Sequence, residues 1–459
     1  MKNLIISHLV VIIFSSTAFA QTDISTSEEV SAYTLDDCLE IALQNNVAIL
    51  EAIEEMEAAS GLKLQAVSEA VPHLYGEAAY TYQDRIRYYE SGDDSLPINR
   101  HDNYHVGLTL EQNVYQGGRV IAGIKAANFL DEYSQAYLTE ARLEVAYLVK
   151  SLFYLLCQQE GILRVRQQSV ENIRDYRDTA LQKFEQGSIS EFDKLTAEVR
   201  LANALPPVIE AENQVDLYKT KLAKEMGLDQ RNFEIVGNLA YVPFEASLEL
   251  LHRLGKENRP LLQQVLLMQD IREQDLAAAE SGYQPQVSIY ASWVGDYPND
   301  ETPPDNDFQT EWFAGAALTW DLFDGLKTPG KVAEAKAYLN QAIIKAADTN
   351  RTVRLDIKQA YLDVLAARKA LESQRETVGQ AEKAYQIARI RWENGVSTSL
   401  ELTDAELNLS EAKVMLEKTI AYYVIALAGI ERAVGLPLEE IADRTQEEKP
   451  GGKISKGGK

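Results

Sequence analysis

Two cysteines, five histidines and five methionines among 459 residues leave little for cross-linking or metal ligation. Cys38 and Cys157 fall inside helical patterns, so a disulfide framework is not expected and both read as small buried residues. Beyond the first twenty residues no apolar run reaches the ~18 residues that a transmembrane helix needs. Positive charge is short as well. The 45 Lys and Arg face 70 Asp and Glu, and a net charge of −25 argues against nucleic acid as a partner. HExxH, a Gly-rich phosphate loop, a nucleophile elbow and CxxC are all missing, so no enzyme activity, catalytic residue or cofactor is expected. His101 and His105 are four apart, but with no further ligands they make no metal site. Proline is missing from 98–205 and from 330–436, which removes the usual helix breaker from two long stretches.

At the start of the chain, Lys2, an apolar stretch over 4–14 and Ala18-Phe19-Ala20 predict a secretory signal peptide over 1–20. The mature protein then begins at Gln21 and works outside the cytoplasm.

One pattern occurs twice. KFEQGSISEFDKLTAEVRL begins at Lys183 and RWENGVSTSLELTDAELNL at Arg391, with Gly187 and Gly395 at equivalent points, a shift of 395 − 187 = 208 positions. The same shift carries Tyr115-Gln116-Gly117 onto Phe323-Asp324-Gly325 and Met226-Gly227-Leu228 onto Val434-Gly435-Leu436. The chain therefore reads as a duplicated unit: 21–228, a connector over 229–245, 246–438, and a disordered tail over 439–459. Each unit has a helix, two strands, a very long helix, a glycine turn and a returning helix. Val353, Ile357, Ala360, Val364, Ala367 and Leu371 are spaced 4, 3, 4, 3, 4, the seam of a coiled-coil helix. At 1.5 Å per residue the second long helix, over 331–394, would span roughly 95 Å. That length implies a rod or tube.

The strands alternate apolar and polar residues. Val106, Leu108, Leu110 and Val114 oppose His105, Thr109, Glu111 and Asn113; Val287, Ile289, Ala291 and Trp293 oppose Gln286, Ser288, Tyr290 and Ser292. Similar faces occur over 73–83 and 314–322. Trp293, Trp312 and Trp320, with Tyr80, Tyr82, Tyr104 and Tyr290, supply an interfacial aromatic girdle. Four such strands, apolar outward and polar inward, match membrane β-strands. Four cannot close a barrel, and an open edge in lipid costs several kcal/mol per unpaired backbone group, so the chain must assemble with copies of itself.

The segments YTLDDCLEIALQNN, VGLTLEQNVYQGGR and ALTWDLFDGLK, followed by the two glycine-tip segments, resemble the TolC-type outer-membrane efflux proteins from Tyr33 to about Pro437. The resemblance implies a mixed, mainly α fold: a periplasmic tunnel of very long coiled-coil helices, with four transmembrane β-strands per chain contributing to a trimeric barrel. It also implies a homotrimer in the lipid of a Gram-negative outer membrane, a periplasmic adaptor protein and an inner-membrane pump. Asn113 and Asp321 stand where the family usually has proline, Val47 follows Asn46 where Asn-Pro is usual, and Pro206-Pro207 should kink the third helix.

By the same resemblance the helical tips that contact the adaptor are Phe184, Gly187, Ser190 and Trp392, Gly395, Thr398. Their chemistry also suits a plain turn and cap: glycine reverses the chain and the hydroxyls cap the returning helices. Asp193, Glu401 and Asp404 match the acidic periplasmic gate, whose rings would focus a negative potential, although acids in a first helical turn also answer the dipole. The family's latch arginine is replaced by Ser397.

The function implied is the outer-membrane channel of a tripartite efflux system, a passive exit duct for small molecules. The alternatives are type I protein secretion and, in a different class, a non-conducting periplasmic coiled-coil scaffold.

Overall fold

The computed structural model describes residues 31–91, 94–229, 232–299 and 307–448. The expected signal peptide and the end of the tail lie outside those residues.

Each half opens with a capped helix pair. In the first, α1 (Leu35–Asn45) follows a capping box in which Thr34 and Asp37 satisfy each other's free backbone donors. Asn46 then ends α1 in an extended conformation, and its side chain caps α2 (Val47–Ser68). The strands β2 (His73–Tyr82) and β5 (Asp102–Gln116) follow, with the hairpin β3 (Tyr88–Ser91) and β4 (Asp94–Pro97) between them. Next come α3 (Arg119–Glu185), α4 (Glu191–Ala204) and α5 (Pro206–Glu225). The connector holds a short strand, β6 (Phe233–Ile235), which pairs in parallel with β1 (Ser31–Tyr33).

The second half repeats the order: α6 (Leu248–Asn258), α7 (Pro260–Glu280), β7 (Gln286–Tyr297), β8 (Gln309–Thr319), α8 (Lys327–Glu393) and α9 (Ser399–Val434). Both α3 and α8 have 67 residues, and their first residues differ by 327 − 119 = 208. Before the strands the shift is 260 − 47 = 213. The five-residue difference lies in the β2–β5 connection, which carries the extra β3–β4 hairpin.

Two helices differ between the halves for one local reason. Pro206 and Pro207 lack the N–H groups that would continue α4, so the first half has two helices where the second has one, α9. The tail differs from expectation. Instead of losing structure at Glu439, the chain forms α10 (Leu438–Glu448), because Ile441, 1% exposed, completes an apolar cluster with Phe244 and Leu427. The acidic composition of that segment describes only its outer face.

Laterally the helices form a wall. Near the sheet the order is α2, α3, α7, α8; toward the glycine turns it is α4 and α5, then α3, α9, α8. Cores sit where these layers meet mid-length. The predicted seam is buried: Val353, Ile357, Val364, Ala367 and Leu371 are each at most 2% exposed. Cys38 and Cys157 lie in the first-half core, where burial pushes both thiols up to about 12. Arg259 fixes the middle. Its buried guanidinium donates to Glu140 Oε1 at 2.7 Å and Glu144 Oε1 at 3.3 Å, joining α7 to α3.

Candidate functional site: sheet wall and helical tips

At one end of the wall lies a four-stranded antiparallel sheet in the order β2, β5, β7, β8. Register puts Leu110 opposite Leu74 and Ala291, Leu108 opposite Trp293, and Trp293 opposite Trp312. One face is therefore apolar across all four strands, and it stays exposed: Leu74 is 69%, Trp312 77% and Leu318 67% accessible. Tyr80, Tyr104 and Tyr297 pack ring to ring near one rim. Tyr290, expected in that girdle, lies on the opposite face across from Glu111, where Gly315 makes room for its hydroxyl.

The opposite face is polar. His105 Nδ1 lies 2.7 Å from Asp296 Oδ1 and its Nε2 3.4 Å from Glu77 Oε1, tying three strands together. Thr109 and Ser292 share a hydrogen bond of 2.9 Å. His101 instead stacks on Tyr82 and approaches the Gln83 carbonyl, so the two histidines do not converge. β2 and β8 each keep one side unpaired among the described residues. A sheet that is apolar on one face, polar on the other and open at both edges suits a segment of a wall between lipid and water.

The far end carries two equivalent turns. Gly187 (φ 69°) and Gly395 (φ 75°) adopt the left-handed conformation that reverses the chain, and Ser188 N–H and Val396 N–H donate to the Lys183 and Arg391 carbonyls. Ser190 and Asp193 form a capping box, Ser190 Oγ donating to Asp193 Oδ2 at 2.7 Å. Thr398 caps α9 by accepting from Glu401 N–H at 3.3 Å. Glu401 Oε2 approaches Arg391 Nη2 at 3.7 Å, while Asp404 is exposed. Asp193 is thus engaged within its own turn, and the two other acids face water or a surface arginine. Ser397 Oγ is buried with no hydrogen-bond partner among the described residues.

Trp392 turns inward, unlike the exposed residues around it. It is 8% exposed and packs on Tyr176 at 5.0 Å between ring centroids. Lys183 Nζ lies 4.1 Å from the centre of the indole and donates to the Trp392 carbonyl at 3.0 Å. Trp392, expected among the tip residues that meet an adaptor, joins the two hairpins of its own chain. Sequence reasoning missed Tyr176 and Lys183. A signal existed, since Lys183 and Arg391 are equivalent cations one residue before each tip aromatic.

A second unanticipated contact lies one turn deeper. Glu406, 6% exposed, accepts from Ser169 Oγ at 2.9 Å and from Asn172 Nδ2 at 3.3 Å, clasping α9 to α3. Burial holds its carboxyl above the ordinary glutamate value, outweighing those hydrogen bonds and the nearby Arg166 and Lys413.

The profile of the outer membrane efflux protein family matches residues 38–228 and 251–436. The chain is 23% identical over 428 residues to the cobalt-zinc-cadmium resistance protein CzcC of Cupriavidus metallidurans, covering 91% of this chain and 95% of that one. Among solved structures it superposes on a membrane protein from Pseudomonas aeruginosa with a TM-score of 0.77 at 20% identity, covering 89% of this chain and 91% of the other. The Campylobacter jejuni CmeC outer membrane channel gives a TM-score of 0.76 at 17% identity, covering 87% and 85%.

Proposed function

This chain belongs to the outer membrane efflux protein family, and on that premise we propose how one such outer-membrane channel is built and used. Three copies close a shared twelve-stranded barrel, their helical walls continue it as a periplasmic tunnel, and solutes leave passively through the lumen. The duct performs no reaction of its own.

The observation that carries this reading is the wall with two open edges. Among the described residues both rims of the sheet, β2 and β8, lack partners on one side, and the helices below them, α2 with α4 and α5 at one edge and α8 at the other, end the wall. Those helical edges are electrostatically complementary. α8 carries thirteen Lys and Arg against eight Asp and Glu. On the opposite edge α2, α4 and α5 together carry eleven Asp and Glu against six Lys and Arg. A head-to-tail ring satisfies both edges at once.

The helical tips form the periplasmic entrance. Phe184, Gly187, Ser190, Gly395 and Thr398 present the turns to an adaptor protein, which couples the duct to an inner-membrane pump. Asp193, Glu401 and Asp404 bring carboxylates to the mouth, where copies around an axis focus a negative potential. The clamp of Lys183, Tyr176 and Trp392 holds the hairpins together in place of the missing latch arginine. Small molecules are the cargo, and the acidic mouth together with the metal-resistance name of one relative makes divalent cations the first solutes to assay.

Planar-bilayer recording tests the reading. Purified protein should produce discrete conductance steps, and alanine at Glu401 and Asp404 together should lower cation preference. Protein that inserts stably yet never conducts would refute the duct.

A further inference from the structure

The seam between the two halves of one chain is a template for the seam between chains. In a head-to-tail ring the second half of one subunit meets the first half of the next as the first half meets the second within a subunit. Each contact between halves then has a counterpart between subunits, found by adding 208 to residues of the first half and subtracting 208 from residues of the second, or 213 for residues that precede the connection between the paired strands.

Applied to the clasp at Glu406, the rule keeps the chemistry. Ser169 becomes Thr377, Asn172 becomes Gln380 and Glu406 becomes Glu198, so hydroxyl, amide and carboxylate are all retained. Within one chain these three groups are exposed and lie on opposite edges of the wall, α8 and α4. Glu198 has only a 4.0 Å approach to Lys194, and Thr377 donates to the Ser373 carbonyl of its own helix. At the tips the rule carries Lys183 to Arg391 and Trp392 to Phe184, again a cation beside an aromatic ring.

Other contacts are not retained. Arg259 maps to Asn46 and its partner Glu140 to Asp348; Lys150 and Glu431 map to Lys358 and Ala223. The mid-wall ion pairs are therefore private to each chain, while the clasp and the cation beside the tip aromatic recur; Tyr176 maps to Ala384, so the aromatic pair of the tip does not. In the sheet, Leu108 opposite Trp293 maps to Ala316 opposite Tyr80, using 208 for the residue after the connection between paired strands and 213 for the residue before it. Both residues belong to the apolar face, as a continuous barrel wall requires.

We propose that Glu198 accepts hydrogen bonds from Thr377 and Gln380 of the partner subunit, a clasp that joins adjacent subunits above the entrance, with Arg391 set against the partner's Phe184. This rests on the ring reading above.

The test uses full-length chains carrying Glu198→Cys or Gln380→Cys, expressed together and oxidised in detergent. A disulfide forms only where Cα atoms approach within about 7 Å, so this pair should cross-link roughly tenfold more than Glu198→Cys with Ile387→Cys, which lies below the mapped position. Ala316→Cys with Tyr80→Cys should cross-link as well. An oligomeric particle whose strand pair links but whose Glu198→Cys and Gln380→Cys do not overturns the clasp alone. A particle containing one chain overturns the ring on which it rests.

Discussion

Trp392 and Glu406 show how single buried side chains set the entrance. Truncating a buried tryptophan costs about 3–5 kcal/mol, and here the loss falls on the contact between hairpins, because Tyr176 and Lys183 would face a void. Trp392→Ala should therefore raise single-channel conductance and weaken closure at the tips; conductance equal to the parent would show that the indole holds nothing shut. Glu406 makes a separate prediction. An acid whose carboxyl is raised on folding adds stability when protonated. That stability is complete below the ordinary glutamate value and is lost as pH rises through the raised one. Melting temperature should thus rise, as pH falls from above the raised value to below the ordinary glutamate value, by more in the parent than in Glu406→Gln. Glu140, Glu160 and Glu417 are raised by burial too, but they are common to both proteins, so the difference isolates Glu406. Equal shifts would contradict the assignment. None of this was legible from residue type, since a helical glutamate is usually solvated and a tip tryptophan does not announce which way it faces. Only the register of α3 on α9 decides.

At the level of elements, the sequence carried most of the information. Missing proline, a 4, 3, 4, 3, 4 seam and paired tip glycines located α3 and α8 to within a few residues. Strand alternation placed β2, β5, β7 and β8, because a half-exposed sheet must repeat every second residue. What failed was α10, where charge and a following Pro-Gly-Gly obscured an apolar stripe that needed Phe244 and Leu427 as partners. The turns themselves differ in tolerance. Gly187 is left-handed with open space where a Cβ would go, so Gly187→Ala should cost about 1 kcal/mol from backbone strain alone. Gly227 is also left-handed, but a Cβ there would lie 2.6 Å from the Asn45 carbonyl oxygen. Gly227→Ala should lower the melting temperature clearly more than Gly187→Ala, and the reverse order would contradict the packing of α5 against α1.

For the whole molecule, duplication is the organising fact. Two units with long helices of equal length make a wall whose internal seam is complete and whose outer edges are not. The apolar sheet face, the unpaired strand rims and the opposite charges of the helical edges all call for neighbours of the same kind. Native mass spectrometry of the detergent-solubilised protein addresses this most directly. Three full chains per particle, persisting as lipid and detergent are stripped away, is the predicted result. A stable, folded particle holding one chain would contradict it.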